Sequence, residues 1–281
     1  MRELSTDRIT KAITGLCREA NFFLPEDVSD ALRRAAESEP SDVGRHVLEQ
    51  IRKNAEIAAT DQVPLCQDCG LAAVFVELGQ DVHIVGRALQ EAIDEGVRIG
   101  YRDGYLRKSV VQPPIFDRVN TKDNTPAIVH VDVVPGDRLR ITLMTKGGGS
   151  ENMSALAMLT PADGAQGAKE FVTRTVEKAG SNPCPPIIVG VGIGGTADYA
   201  MHLAKKALLR QVGAHNADPQ MASLEEDILA RVNELGIGPA GFGGRTTALS
   251  VHVETYPCHM ASLPVAVNIQ CHSARHKEVV L

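Results

Sequence analysis

Three cysteines far apart in this chain sit in short polar loops framed by proline, glycine or histidine, and none of these loops has the composition of core. Cys66 lies in Pro64-Leu65-Cys66-Gln67-Asp68-Cys69-Gly70, Cys184 in Ser181-Asn182-Pro183-Cys184-Pro185-Pro186, and Cys271 in Gln270-Cys271-His272-Ser273-Ala274-Arg275. A fold that used them together would have to converge three loops on one place. Three thiolates arranged in that way would hold an iron–sulfur cluster by three of its irons. The fourth iron would stay open to substrate, which suits Lewis-acid chemistry rather than electron transfer.

Bulk properties narrow the field. The chain has 281 residues, enough for a sizeable core. Its net charge of −6 argues against general nucleic-acid binding and leaves an anionic substrate possible through a local cluster of Arg, Lys and N–H groups. No stretch is apolar for long enough to span a membrane. The N-terminus, Met1-Arg2-Glu3-Leu4-Ser5-Thr6-Asp7, is charged where a signal peptide needs an apolar run, so a cytoplasmic location is expected. Six cysteines in a chain of this kind point to metal binding, catalysis or burial rather than to a disulfide framework. Cys17, beside Leu16 in a helical stretch, reads as core.

The first sixty residues read as helices. Ser5 can cap the first, with Ile9, Ala12, Ile13 and Leu16 at helical spacing. Pro25 suits the first turn of a second through Leu32, and Ser41 can cap a third carrying Val43, Val47, Leu48 and Ile51. Leu71 to Leu78 suits a strand, and 85–100 returns to helical periodicity. Ala127–Val134 and Arg138–Met144 flank Pro135-Gly136-Asp137, a hairpin signal. Lys146–Ser150 leads into a further helix. Residues 164–179, 196–212 and Leu224–Leu235 read as helices, and 187–191, Ala248–Glu254 and Pro264–Gln270 as strands. No repeat and no linker is visible. The expectation is a single α/β (mixed α+β) domain over 1–281, helix-rich with a mixed sheet and a helical N-terminal segment of about 60 residues.

Each motif has a bland reading beside the chemical one. Cys66-Gln67-Asp68-Cys69 can be redox-active or half a zinc site. A closed zinc site from Cys66, Cys69, Cys258 and Cys271, in a binding module, leaves Cys184 unexplained. Gly190-Val191-Gly192-Ile193-Gly194-Gly195 has the form of a dinucleotide fingerprint, but no second strand ending in an acid follows, so these glycines read as close packing. Lys146-Gly147-Gly148-Gly149-Ser150 can turn N–H groups toward an anion or be a flexible turn. Arg107-Lys108-Ser109 can clamp a carboxylate or be a solvated face. His259, beside Cys258, can be catalytic or structural.

Together Cys-Gln-Asp, Lys-Gly-Gly-Gly-Ser, Cys-Pro-Pro with Gly-Gly-Thr, and Gln-Cys-His-Ser-Ala-Arg resemble, in order and over nearly the whole chain, the α-part of the class I, iron–sulfur fumarate hydratases and the related L-tartrate dehydratases. The resemblance implies a [4Fe-4S] cluster on Cys66, Cys184 and Cys271. It implies catalytic roles for Asp68 and His259 and substrate contacts at Gln67, Arg107 and Gly149. Cys69 stands where many relatives have Thr and is not made a ligand. Lys146–Ser150 and Phe242-Gly243-Gly244-Arg245 resemble the fumarase branch, which implies hydration of fumarate to L-malate, a step of the tricarboxylic acid cycle; L-tartrate dehydration is the alternative. The chain stops ten residues after Cys271, where single-chain relatives continue. The resemblance therefore implies an α-subunit completed by a β-subunit, two of each.

Overall fold

A computed structural model describes all 281 residues. In chain order the elements are β1 (Arg2–Ser5), α1 (Thr6–Phe22), α2 (Glu26–Ser38), α3 (Asp42–Asp61), β2 (Leu71–Gly79), β3 (Val82–Val85), α4 (Leu89–Asp103), β4 (Val111–Gln112), β5 (Val119–Asn120), β6 (Ile128–Val134) and β7 (Leu139–Lys146). Then follow α5 (Gly148–Glu151), β8 (Ala155–Leu159), α6 (Gly164–Ala179), β9 (Ile187–Gly194), α7 (Ala197–Ala207), α8 (Pro219–Glu234), β10 (Ala248–Tyr256), β11 (Leu263–Gln270) and β12 (His276–Val280). This is the mixed α/β class that the sequence predicts. The chain forms two compact units: Met1–Leu24, Asn54–Gly148 and Arg275–Leu281 make the first, and Pro25–Lys53 and Gly149–Ala274 the second.

The first unit is built on a sheet ordered β12-β7-β2-β6. β2 runs parallel to β6 and antiparallel to β7. Ser5 caps α1 by accepting the Asp7 N–H, and Ile9, Ile13 and Leu16 bury one helical face. α1 packs closely on α4, because a β-carbon at Gly96 would sit 2.6 Å from Ile13 Cβ. The Thr10 and Thr14 hydroxyls bridge the same seam to the Ala92 and Gly96 carbonyls. Ile9, Ile13, Ile93, Val97, Val74 and Ile141 share one core.

The second unit has a sheet ordered β10-β9-β11-β8 with helices on both faces. Val189 and Val191 of β9 point into the core shared with α6 and α8. Gly190 and Gly192 point the other way, onto α7, where a β-carbon would stand 2.1 Å from the Ala204 and Ala200 carbonyl oxygens. The glycine run is thus strand interior shaped by helix contact, as its packing reading had it.

Both sheets follow one plan that no residue similarity reveals. A central strand (β2 or β9) is followed, after an excursion, by a parallel neighbour (β6 or β10). The chain then crosses to the other side of the central strand as an antiparallel one (β7 or β11). This overturns the hairpin expected around Pro135-Gly136-Asp137: β6 and β7 are separated by β2. The Pro135–Asp137 loop instead arches over the end of β2. Gly79, Gln80 and Asp81 donate N–H groups to the Arg138, Val134 and Gly136 carbonyls, and a β-carbon at Gly79 would lie 2.5 Å from Gly136 O. The helix expected after Lys146–Ser150 is a single turn, α5, before β8. The helix expected from residue 85 starts at Leu89, after β3, and the one expected to run to 212 ends at Ala207. Val43, expected on the apolar face of α3, is 55% exposed.

Candidate functional site

The shared plan places the candidate loops. In each unit the loop entering the central strand and the loop leaving its antiparallel neighbour meet at one end of the sheet. In the first unit Leu71 pairs with Lys146, so the Cys66–Gly70 loop lies beside Gly147 and Gly148. In the second, Ile188 pairs with Gln270, so the Cys184 loop lies beside Cys271 and His272.

In the first unit Asp68 organises its loop. Its Oδ1 accepts the Gly70 N–H at 3.0 Å and its Oδ2 the Gly148 N–H at 2.8 Å. The Asp68 N–H points at Cys66 Sγ, 3.4 Å away. Cys66 is partly exposed and Gln67 exposed. Gly70 takes a φ of +71°, and a side chain there would collide with the Lys146 backbone at 2.6 Å. The two carbonyls after Asp68 are anchored by Tyr101, whose buried hydroxyl donates to Cys69 O at 2.8 Å and is also 3.1 Å from Gly70 O. Burial keeps that phenol protonated by raising its pKa well above the ordinary value. Cys69 is buried, and desolvation raises its thiol pKa. Its sulfur accepts the Arg107 N–H at 3.2 Å, tying Arg107 to the same loop. The Arg107 side chain is exposed and makes no ion pair, so its guanidinium is free to take an anion.

In the second unit His272 staples the two cysteine loops together. Its Nδ1–H donates to the Cys184 carbonyl at 2.9 Å, and its backbone N–H approaches the same oxygen at 3.4 Å. Cys184 is exposed and holds a φ of +55°, a left-handed conformation unusual for a residue with a side chain. Cys271 is partly exposed, and neither cysteine is in a disulfide. Gly149 leaves room for Asn182, whose carbonyl oxygen would lie 3.1 Å from a β-carbon there. His259 is not in this group. It lies between β10 and β11, beyond the opposite end of the sheet, beside Tyr256, which pairs with Gly194. Its Nδ1 accepts the Ala261 N–H at 3.1 Å, which leaves the ring proton on Nε2.

The same geometry removes the zinc alternative. Cys258 neighbours His259 and so lies at the far end of the second sheet from Cys271; one ion cannot hold both. Nor do three His, Cys, Asp or Glu side chains gather closely enough for a single metal ion. A cluster differs, because it takes one thiolate on each of several irons. The donors suit it: Cys66, Cys184 and Cys271 are soft ligands outside any disulfide in accessible loops, while Cys17 is core with a desolvated thiol. The sequence reading did not single out Arg275, Asn21, Tyr101 or Asn124. Only Arg275, the last residue of Gln-Cys-His-Ser-Ala-Arg, lies within a motif.

Residues 10–280 match the family model described as fumarate hydratase (Fumerase). The chain is 45% identical over 273 residues, 95% of each chain, to a Methanocaldococcus jannaschii protein named "Putative L(+)-tartrate dehydratase subunit alpha". It is 31% identical over 278 residues to the L(+)-tartrate dehydratase subunit alpha of Escherichia coli K12, covering 98% of this chain and 91% of that one. The same figures relate it to the protein of that name from Shigella sonnei.

Proposed function

Because the chain belongs to the fumarate hydratase family, a family of hydro-lyases that includes tartrate dehydratase α-subunits, we propose that it is the α-subunit of a fumarate hydratase that interconverts fumarate and L-malate. Both compact units act in this reading as one catalytic subunit. Cys66, Cys184 and Cys271 hold a [4Fe-4S] cluster. When bound, that cluster supplies an open iron that polarises the substrate hydroxyl as a Lewis acid.

The remaining work falls to this chain's own groups. Arg107 binds one carboxylate of the dianion with its free guanidinium, oriented by the bond from its N–H to Cys69. Gln67 and the Gly149 backbone contact the same substrate. Asp68 is held by two N–H groups in one orientation, and each oxygen keeps a lone pair for the proton moving at substrate C3. His259 keeps its catalytic role on the resemblance alone: it lies at the far end of the second sheet from Cys184 and Cys271, so no contact with a substrate held at those thiolates is assigned to it. A β-subunit completes the site, in an assembly of two α and two β chains. That relatives are named subunit alpha supports a second subunit. No helix is long and apolar enough to cross a membrane, and we place the enzyme in the cytoplasm as a tricarboxylic acid cycle activity.

The observation that carries this reading is the meeting, in each unit, of a thiol-bearing loop with a Gly- or His-bearing loop at one sheet end. The printed names of the relatives favour a second reading, dehydration of L-tartrate on the same site. The test is anaerobic co-purification with the β-subunit, followed by iron and sulfide counts and parallel assays on fumarate, L-malate and L-tartrate. Faster turnover of tartrate would select the second reading. A cluster-loaded complex inert on all three would sink both.

A further inference from the structure

Arg275 is the largest fully buried side chain of the protein, 1% exposed, and its guanidinium meets only neutral acceptors. Nη1 donates to the Asp68 carbonyl at 2.6 Å and to Asn21 Oδ1 at 3.3 Å; Nε–H has no protein partner. Asp68 is an acid beside it, and no ion pair or hydrogen bond joins its carboxylate to the guanidinium. The place of a Gly147 β-carbon lies 3.3 Å from both Arg275 Nη2 and Asp68 Oδ2, and both Asp68 oxygens already accept backbone N–H groups. Arginine keeps its charge at every physiological pH, and a buried charge is costly unless an anion answers it. The first unit therefore keeps a permanent cation against the Cys66–Gly70 loop, its buried Nε–H unspent.

We propose that Arg275 is the built-in counter-charge for the thiolate at Cys66 and the anionic cluster it would hold, a positioning residue that sets the reduction potential of that cluster and its retention. The inference rests on the cluster reading above. Two connections on this loop carry it. Arg275 fixes Asp68 by its carbonyl, and the Asp68 N–H is the donor aimed at Cys66 Sγ. Hydrogen bonds and charge near the sulfurs are what tune such clusters. A nearby cation favours the more negative, reduced state, so removing or compensating it lowers the potential.

The experiment uses the αβ complex, loaded anaerobically, with three variants. Arg275→Lys keeps the charge, Arg275→Gln removes it, and Asn21→Asp sets a carboxylate against Nη1 while the guanidinium stays. Midpoint potential is read by titration with paramagnetic resonance detection, and retention by iron loss in air. Arg275→Gln and Asn21→Asp are expected to lower the potential and to lose iron several-fold faster, with Arg275→Lys near the parent. If Arg275→Gln does not fold, Asn21→Asp decides. An unmoved potential in the folded, loaded variants overturns the proposal, even where melting temperature falls. A raised KM at unmoved potential also overturns it, by making the partner a substrate carboxylate. Absence of iron and sulfide from the parent complex would instead remove the cluster reading itself.

Discussion

Cys66 and Cys69 stand three residues apart in opposite surroundings. Cys69 is buried, its thiol pKa raised by desolvation, and its sulfur is occupied by the Arg107 N–H. Cys66 is partly exposed and receives one weak N–H contact. On the cluster reading proposed above, ligation falls to Cys66 rather than Cys69, and Cys66→Ser, Cys184→Ser and Cys271→Ser should each abolish the cluster. Cys69→Ser keeps an acceptor for Arg107, and Cys17→Ser lies in core; both should retain iron. Full iron and sulfide in any of the first three would refute the ligand set. Arg107→Ala and His259→Asn should lower turnover on the order of 10²-fold, as for lost substrate orientation, with iron near normal. For His259 the retained iron follows from its place at the far sheet end from Cys184. Unchanged kinetics in both variants would return them to the surface. That the Cys66, Cys184 and Cys271 segments are loops was legible, because proline, glycine and polar residues punctuate them. Arg275, Tyr101 and Asn124 were not, because much of their work is on backbone: carbonyls of residues 68–70, and the Ser109 N–H.

Elements were legible where their signal is local. α6 runs over residues 164–179 as its periodicity predicts, and α1 begins where Ser5 caps it. Pairing was not legible, since β2 enters between β6 and β7 from about fifty residues upstream, and adjacent β-runs around Pro-Gly-Asp look the same whether or not a third strand divides them. The glycines of β9 give a test at this scale. A β-carbon at residue 190 or 192 would strike helix backbone at 2.1 Å, which no rotamer change relieves. Gly190→Ala and Gly192→Ala should each destabilise the fold by about 1–3 kcal/mol or more in chemical denaturation. A buried histidine on β10 gives a second. Desolvation, and then the Arg210 charge, lower the His252 pKa from 6.5 to about 4. Above pH 6.5 the ring is neutral in both states and its share of stability is complete. As pH falls from there toward about 4, the unfolded chain takes up a proton that the fold refuses, and stability drops by at most roughly 3 kcal/mol. Denaturation midpoints across that window should show the loss, and His252→Gln should flatten it. An equal slope in parent and variant would assign the loss to carboxylates instead.

At the scale of the whole molecule the chain passes between its two units at residues 24–25, 53–54, 148–149 and 274–275. One passage lies inside α3, and another falls within Gly147-Gly148-Gly149-Ser150, a short run that reads as a binding motif or turn rather than as a linker. That is why composition reads as one domain, and why the repeated sheet plan escapes notice: it lives in strand order, and the excursions between matching strands differ. The candidate groups are divided in the same way. Cys66, Gln67, Asp68 and Arg107 belong to the first unit, and Gly149, Cys184, His259 and Cys271 to the second. In each, the reactive groups face solvent. The Cys184 thiol and the Arg107 guanidinium are exposed, whereas hydration chemistry needs its acid–base groups and its dianion held away from bulk water. Something must cover them, and the proposed β-subunit is the cover. The purified 281-residue chain, even with an intact cluster, should bind fumarate weakly and turn it over at least on the order of 10²-fold more slowly than the complex. Titrating in the β-subunit should restore the rate to a plateau at equal numbers of the two chains. Robust hydration by the α chain, shown free of partner by mass and by sedimentation, would defeat the two-subunit reading while leaving the ligand set standing.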